Sequence, residues 1–119
     1  VILESTKALQ AKVYRLNGDY DKAIELLHSS EKSETNSYKL EFARCYRLKG
    51  EYREALNILE SCEGKESLYE LGVLHHSMGE IDQAINYMNE FLVDFQYADP
   101  EWTMIQKAKA FIENWKNKS

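Results

Sequence analysis

The sequence predicts an all-α fold made of repeated pairs of helices, and three observations support this fold class. Proline occurs once among the 119 residues and glycine five times, so little in the sequence interrupts long helices. Apolar residues recur at intervals of three and four, which is the period of an amphipathic helix. Three segments also align with one another without an internal gap, each around a glycine. Such internal similarity is typical of a helical repeat protein.

Each aligned segment predicts a first helix that ends at its glycine, because a left-handed cap costs glycine least. A small residue lies two turns before that glycine, where it lets a neighbouring helix approach closely. A ring follows the small residue by three positions and fills the space beside it. The small residue, ring and glycine are Ala11, Tyr14 and Gly18, then Ala43, Tyr46 and Gly50, then Gly72, His75 and Gly79.

A second helix is predicted to begin directly after each glycine. An acidic residue comes first, which suits the positive end of a helix. An alanine then marks the closest crossing of the paired helices, and a large apolar residue follows one turn later. These two positions are Ala23 and Leu27, Ala55 and Leu59, and Ala84 and Met88.

A last helix is predicted over 100–117. Asp99-Pro100-Glu101 is typical of a helix start, with an N-cap, a proline at the first position and an acid in the first turn. We expect this helix to cover the apolar face of the third repeat, because a repeat array needs a polar cap. Its apolar stripe is Trp102, Ile105, Ala108, Ile112 and Trp115.

The order of small residue, aromatic, glycine, aromatic and alanine resembles the tetratricopeptide repeat family. The resemblance implies a right-handed α-α superhelix of about seven helices in a single domain, 1–119. The repeats would span about 4–35, 36–64 and 65–98. The glycines lie closer together than the family's unit of about 34 residues, so we expect shortened turns between repeats.

The sequence contains no motif that is typical of a catalytic or metal-binding site. The net charge of −5 argues against a nucleic-acid surface, and no apolar run reaches the roughly 20 residues of a membrane span. The histidines and cysteines lack the spacing of metal ligands or of an activated nucleophile. We therefore expect no enzymatic activity, no cofactor and no metal. Cys45 and Cys62 are interpreted as buried, reduced thiols, which favours a cytoplasmic protein, although two cysteines could also pair in a secreted one.

The resemblance implies that the chain binds another protein or peptide, because members of the family bind ligands in a concave groove lined by the first helices. Lys12 and Arg44 share one repeat position, and Arg15 and Arg47 share another, so four cations line adjacent helices. We expect an acidic partner segment to relieve their repulsion. The alternative is that these charges are solvated or paired with Glu41 or other local acids. The predicted partner-binding residues are Lys12, Arg15, Leu40, Glu41, Arg44, Arg47, Tyr69, Glu70, Val73 and His76.

Two further expectations concern the kind of partner. The family's carboxylate clamp for chaperone C-terminal tails needs lysine, arginine and asparagine at positions that carry Ala8, Lys12, Glu41, Glu66 and Glu70 here, so chaperone tails are disfavoured. A second function stays open, in which the chain is a structural or sensory segment of a longer helical-repeat protein and makes intramolecular or self-association contacts. The apolar start, without a polar cap, favours this second function, whereas the cations and the capped C-terminus favour partner binding.

Overall fold

Seven α-helices and one short 3₁₀ turn, Glu4–Thr6, make up the structure, a computed structural model that describes residues 2–93, 95 and 102–118. Within those ranges there is no strand, which confirms the predicted all-α class. The third and fifth helices start at the first residues of the second and third predicted repeats. The helices are α1 Lys7–Leu16, α2 Tyr20–His28, α3 Asn36–Lys49, α4 Tyr52–Glu60, α5 Lys65–Ser77, α6 Ile81–Val93 and α7 Thr103–Lys118.

The helices form two compact units, residues 1–63 (unit 1) and residues 64–119 (unit 2). In unit 1, α1 packs on α2 and α3 packs on α4, while both α1 and α2 contact α3. In unit 2, α5 packs on α6 and α6 packs on α7. No helix in the described part of the chain is both long and apolar enough to cross a bilayer.

The same turn ends α1, α3 and α5. Gly18, Gly50 and Gly79 adopt φ values of 84°, 86° and 82°, a left-handed conformation that disfavours side chains. In each turn the N–H after the glycine donates to a carbonyl five residues earlier, at 2.8 to 2.9 Å. This bond satisfies a carbonyl that the helix end leaves without a partner. The donor and acceptor pairs are Asp19 and Tyr14, Glu51 and Tyr46, and Glu80 and His75.

The second helices carry the predicted core positions. Ala23, Ala55 and Ala84 are fully buried, as are the large apolar residues one turn further on. In the third pair of helices Gly72 packs directly against the side chain of Met88, and a Cβ added to Gly72 would lie 2.9 Å from Met88 Cε. Glycine therefore replaces the alanine of the other two repeats because Met88 occupies the space of a methyl group.

Helix α7 packs on α6, in the third repeat that the sequence predicts it to cover. Its residues Ala108, Ile112 and Trp115 form one buried cluster with Ala84, Met88 and Phe91 of α6. Trp102, predicted on the same stripe, is 37% exposed and contacts the Phe95 ring edge-on at 4.7 Å, so the prediction that it belongs to the buried stripe is wrong. The predicted helix start at 99–101 lies outside the described residues. The buried residues of α7 are Ile105, Ala108, Ile112 and Trp115.

Two sequence interpretations concern single buried groups. Cys45 is buried but Cys62 only half-buried, so the expectation of a buried thiol is wrong for Cys62, and both thiols are free. His75 is buried and stacks on Tyr87 with ring centroids 4.9 Å apart, which agrees with a packing role. Burial lowers the pKa of His75, while its neighbour Glu80, at 3.2 Å from Nδ1, partly opposes that effect.

Candidate partner-binding surface

A buried ion-pair cluster joins the first helices of unit 1. Glu41 of α3 is only 7% exposed, and its Oε2 accepts a hydrogen bond from Nε of Arg15 on α1. Its Oε1 lies 3.4 Å from Nη2 of Arg15 and 3.5 Å from Nη1 of Arg44. Charge-assisted bonds of this kind are strong where water is excluded. Arg15 and Arg44 are therefore paired locally, and burial leaves Glu41, one of the predicted partner-binding residues, little surface for a partner.

Cys45 lies one turn beyond Glu41 on α3, with Sγ 3.9 Å from Oε2 of the carboxylate. Burial, followed by the negative charge of Glu41, raises the pKa of the Cys45 thiol to about 12. The thiol is protonated at neutral pH and is a poor nucleophile in this position. Among the described residues, no three histidine, cysteine, aspartate or glutamate side chains are placed to hold a metal ion.

The remaining predicted residues of unit 1 lie nearer the surface. Lys12 is exposed on α1, one turn from Arg15, and no carboxylate in the described ranges pairs with it. Leu40 and Arg47 are half-buried on α3. Unit 1 thus presents an exposed lysine beside an arginine whose acidic partner is buried.

The predicted residues of unit 2 mostly serve internal packing. Tyr69 contacts the Phe91 ring at 5.6 Å, Val73 packs in the same cluster, and Glu70 is buried. The exposed ring of His76 stacks on Trp115 of α7 at 4.6 Å. Glu70 is only 5% exposed, which leaves it little surface for a partner, and α7 covers part of the surface that the sequence assigns to ligand.

Two features of unit 1 are absent from the predicted set. The first is a cavity of about 440 Å³ between the end of α2, the following loop, α3 and α4. Phe42 and Ile58 provide apolar lining, and His28 contacts the Phe42 ring at 4.6 Å. Charges of both signs, Lys39 and Glu54 among them, line the rest. No sequence signal marks this cavity, because its residues come from four separate elements.

The second feature is an exposed apolar stripe on α1. Leu9, Val13 and Leu16 are 65%, 40% and 67% exposed, although each is a large aliphatic residue. Their spacing of four and three places them on one face of the helix. The opposite face carries the fully buried Ala11. The signal for this stripe is present in the sequence as the spacing of the aliphatic residues, but only the structure shows that the stripe is uncovered.

Removal of the Arg15 guanidinium tests whether the ion-pair cluster stabilises the packing of α1 on α3. Arg15→Met is expected to lower the free energy of unfolding by about 2 kcal/mol, because a buried carboxylate loses its main partner while Arg44 stays nearby. The double variant Arg15→Met/Glu41→Leu should recover most of this loss, since no buried charge remains. Urea unfolding gives these values. Lys12→Met is the matched control. If Arg15→Met lowered the free energy of unfolding no more than this control does, the ion pair would not contribute to stability.

Two family models together match residues 8–91 of the chain. A model described as "Anaphase-promoting complex, cyclosome, subunit 3" matches residues 25–91, which is more than half of the sequence. A model described as "Tetratricopeptide repeat" matches residues 8–34. No curated protein matches the sequence significantly.

Proposed function

The chain belongs to the tetratricopeptide repeat family, whose domains generally mediate protein–protein interactions, and on this premise we propose that it is a scaffold that captures a partner segment on the first helices of unit 1. The partner segment carries acidic residues next to an apolar anchor. The observation that carries the proposal is the exposed Lys12 beside Arg15, whose own carboxylate partner is buried. The proposed role is binding, with no catalytic step.

Electrostatics favours an acidic partner at this surface. Lys12 and Arg15 lie one turn apart on α1 and are therefore neighbours. Buried Glu41 offsets part of their charge but offers Lys12 no contact among the described residues. The net charge of the whole chain is −5, so the local sign is opposite to the global one. A partner carboxylate near Lys12 gains attraction without displacing the Arg15–Glu41 pair, and half-buried Leu40 provides an apolar contact on α3.

Reversal of the exposed lysine tests the proposal. Lys12→Glu is expected to weaken binding of an acidic, leucine-containing peptide about tenfold, because attraction becomes repulsion. The peptide carries prolines that keep it extended, and fluorescence anisotropy measures its Kd. Binding to the wild-type chain should also weaken from 0.1 M to 1 M salt, as the screening length falls from about 10 Å to about 3 Å.

The control reverses an exposed lysine elsewhere. The variant Lys109→Glu changes an exposed lysine of α7 and should leave the Kd of the acidic peptide unchanged. Reversal of Arg44 is less suitable, since a carboxylate there would approach buried Glu41 and lower stability as well as binding. Equal affinity for the acidic peptide and a lysine-containing twin, or an unaffected Lys12→Glu variant, would contradict the proposal.

A second candidate function has its own supporting observation. The exposed stripe Leu9, Val13 and Leu16 favours a role in which α1 packs against a further helix, as in a structural segment of a longer helical-repeat protein or in self-association. Sedimentation velocity over a range of concentrations separates self-association from the other roles. If the chain were a monomer at all concentrations, self-association would be excluded and the partner of the stripe would have to be a different helix.

A further inference from the structure

We propose that the cavity of unit 1 between α2, α3 and α4 binds a small zwitterion, a molecule with a carboxylate and an ammonium at the two ends of an apolar body about 10 Å long. The inference goes beyond the proposed function, because none of the residues that line the cavity belongs to the predicted partner-binding set. The volume of about 440 Å³ lies within the range of small-molecule sites, about 300–1,000 Å³.

A smaller cavity, of about 280 Å³, lies at the equivalent place in the first repeat. Each of its six lining residues corresponds in the repeat alignment to a residue that lines the larger cavity. Tyr14 and Leu26, for example, correspond to Tyr46 and Ile58. The repeat itself therefore produces the cavity, and the two copies differ chiefly in their charged residues.

The second repeat leaves one lysine of its cavity without an ion pair. Lys39 is half-buried and lines the larger cavity. Its equivalent in the first repeat, Lys7, pairs with Glu4 at 2.9 Å. At the position of Glu4 the second repeat has Asn36, whose side-chain amide exchanges hydrogen bonds with the backbone of Glu63 instead. In the described part of the chain no carboxylate forms an ion pair with Lys39, so its charge is available to a ligand in the cavity.

Glu54 provides the opposite charge at the other end of the cavity. Burial raises the pKa of Tyr46 and the negative charge of Glu54 adds to that rise, so the carboxylate lies near the Tyr46 hydroxyl. Burial also raises the pKa of Cys62 while the positive charge of Lys39 opposes that rise, so the ammonium lies near the residues after α4. Lys39 and Tyr46 are two turns of α3 apart, about 10 Å. In the first repeat the position of Glu54 carries Lys22, so only the second cavity has opposite charges at its ends.

The middle of the cavity is apolar. Phe42 follows Lys39 by one turn on α3, and Ile58 follows Glu54 by one turn on α4, so both lie between the two charges. A zwitterion meets an opposite charge at each end and buries its apolar body against these side chains. A molecule with a single charge gains attraction at one end only. Glu34 also lines the cavity, but it is exposed in the loop before α3, where water screens its charge.

A straight-chain ω-amino acid with its charged groups about 10 Å apart is the probe, and NMR titration of the isotope-labelled chain measures its Kd and its location. The largest shift changes should occur around Lys39, Phe42 and Glu54. Lys39→Met and Glu54→Lys should each weaken binding about tenfold or more, because the attraction at one end is lost. Glu60→Lys is the matched control, since it reverses an exposed glutamate of α4 that does not line the cavity, and it should leave the Kd unchanged.

The thermal melts of these variants should match that of the wild type, because neither Lys39 nor Glu54 forms an ion pair with another described residue. Analogues of the probe that lack either the carboxylate or the ammonium should bind about tenfold more weakly than the probe. A tripeptide with free termini and an apolar central side chain has a similar length, since an extended chain rises about 3.4 Å per residue. Tighter binding of the tripeptide than of the ω-amino acid would assign the ligand to short peptides, and the reverse would assign it to amino acids without peptide bonds.

Three results would overturn the inference. They are the absence of saturable binding of both zwitterions at millimolar concentration, an unchanged Kd in both cavity variants, and loss of binding in Lys12→Glu, which would place the ligand on the partner-binding surface. The acidic peptide separates the two proposals. If the wild-type chain binds that peptide but neither zwitterion, the cavity site is refuted and the proposed function stands. Binding of a zwitterion without binding of the acidic peptide refutes the proposed function alone.

Discussion

Removal of residues 99–119 is expected to unfold unit 2. Ile105, Ile112 and Trp115 of α7 are buried, and the last two form one cluster with Met88 and Phe91 of α6. Burial of each large apolar side chain contributes about 1.5–3 kcal/mol, so these three contribute roughly 5–9 kcal/mol. Typical domains have only about 5–15 kcal/mol of total stability. The truncated chain should therefore lose the helicity of α5 and α6 and expose an apolar surface that aggregates.

Circular dichroism and sedimentation velocity measure this outcome. The loss of helical signal should exceed the share of α7 itself, and the truncated chain should sediment as large species. A chain that lacks only residues 117–119 is the control, since Asn117 and Lys118 are exposed. If the chain ending at residue 98 stayed monomeric and as stable as the wild type, α7 would not be the cap that we describe.

Overfilling the crossing of the paired helices is expected to have the second largest effect. Ala55 and Ala84 have no exposed surface, so an indole at either position must displace backbone or neighbouring side chains. Overpacking by a few methylene groups costs about 1–3 kcal/mol, and tryptophan adds more than that, so we expect a loss of about 3 kcal/mol or more. Thermal and urea unfolding of Ala55→Trp and Ala84→Trp measure the loss in units 1 and 2.

An exposed site on the same helix provides the comparison for this prediction. Asn86→Trp introduces the same side chain on the solvent face of α6 and should change stability by about 0.5 kcal/mol or less. Stability equal to the wild type in both alanine variants would mean that the crossings lie elsewhere and that the repeat positions are assigned wrongly.

The repeat could be predicted from the sequence because its determinants are local. A glycine two turns after a small residue and just before an acidic residue specifies both the end of one helix and the start of the next. Gly18 and Gly50 show this directly, as each has the same φ to within 2° and the same capping bond to a tyrosine carbonyl. Buried alanines at Ala23 and Ala55 follow from the helical period that starts at those turns.

The candidate site was less predictable because it depends on contacts between distant helices. Arg15 and Glu41 are 26 residues apart, and the sequence alone does not show that the carboxylate turns inward to the guanidinium. Alignment to the family's groove positions therefore placed Glu41 and Arg15 together on an exposed surface. The position of α7 is another long-range property. Because of it, Tyr69 contacts the ring of Phe111 and His76 stacks on Trp115. The helical period predicts which residues share a face but not which helix covers it.

The buried thiol of unit 1 couples oxidative chemistry to folding. Cys45 has no exposed surface and a pKa of about 12, so neither an oxidant nor an alkylating reagent meets a thiolate while α3 stays packed on α1 and α2. Modification of Cys45 therefore requires that α3 separates from α1 and α2. A group added to the sulfur would then prevent these helices from packing together again. Both cysteines of the sequence lie in residues 1–63, so oxidation of Cys45 would keep unit 1 open, whereas residues 64–119 contain no thiol to oxidise.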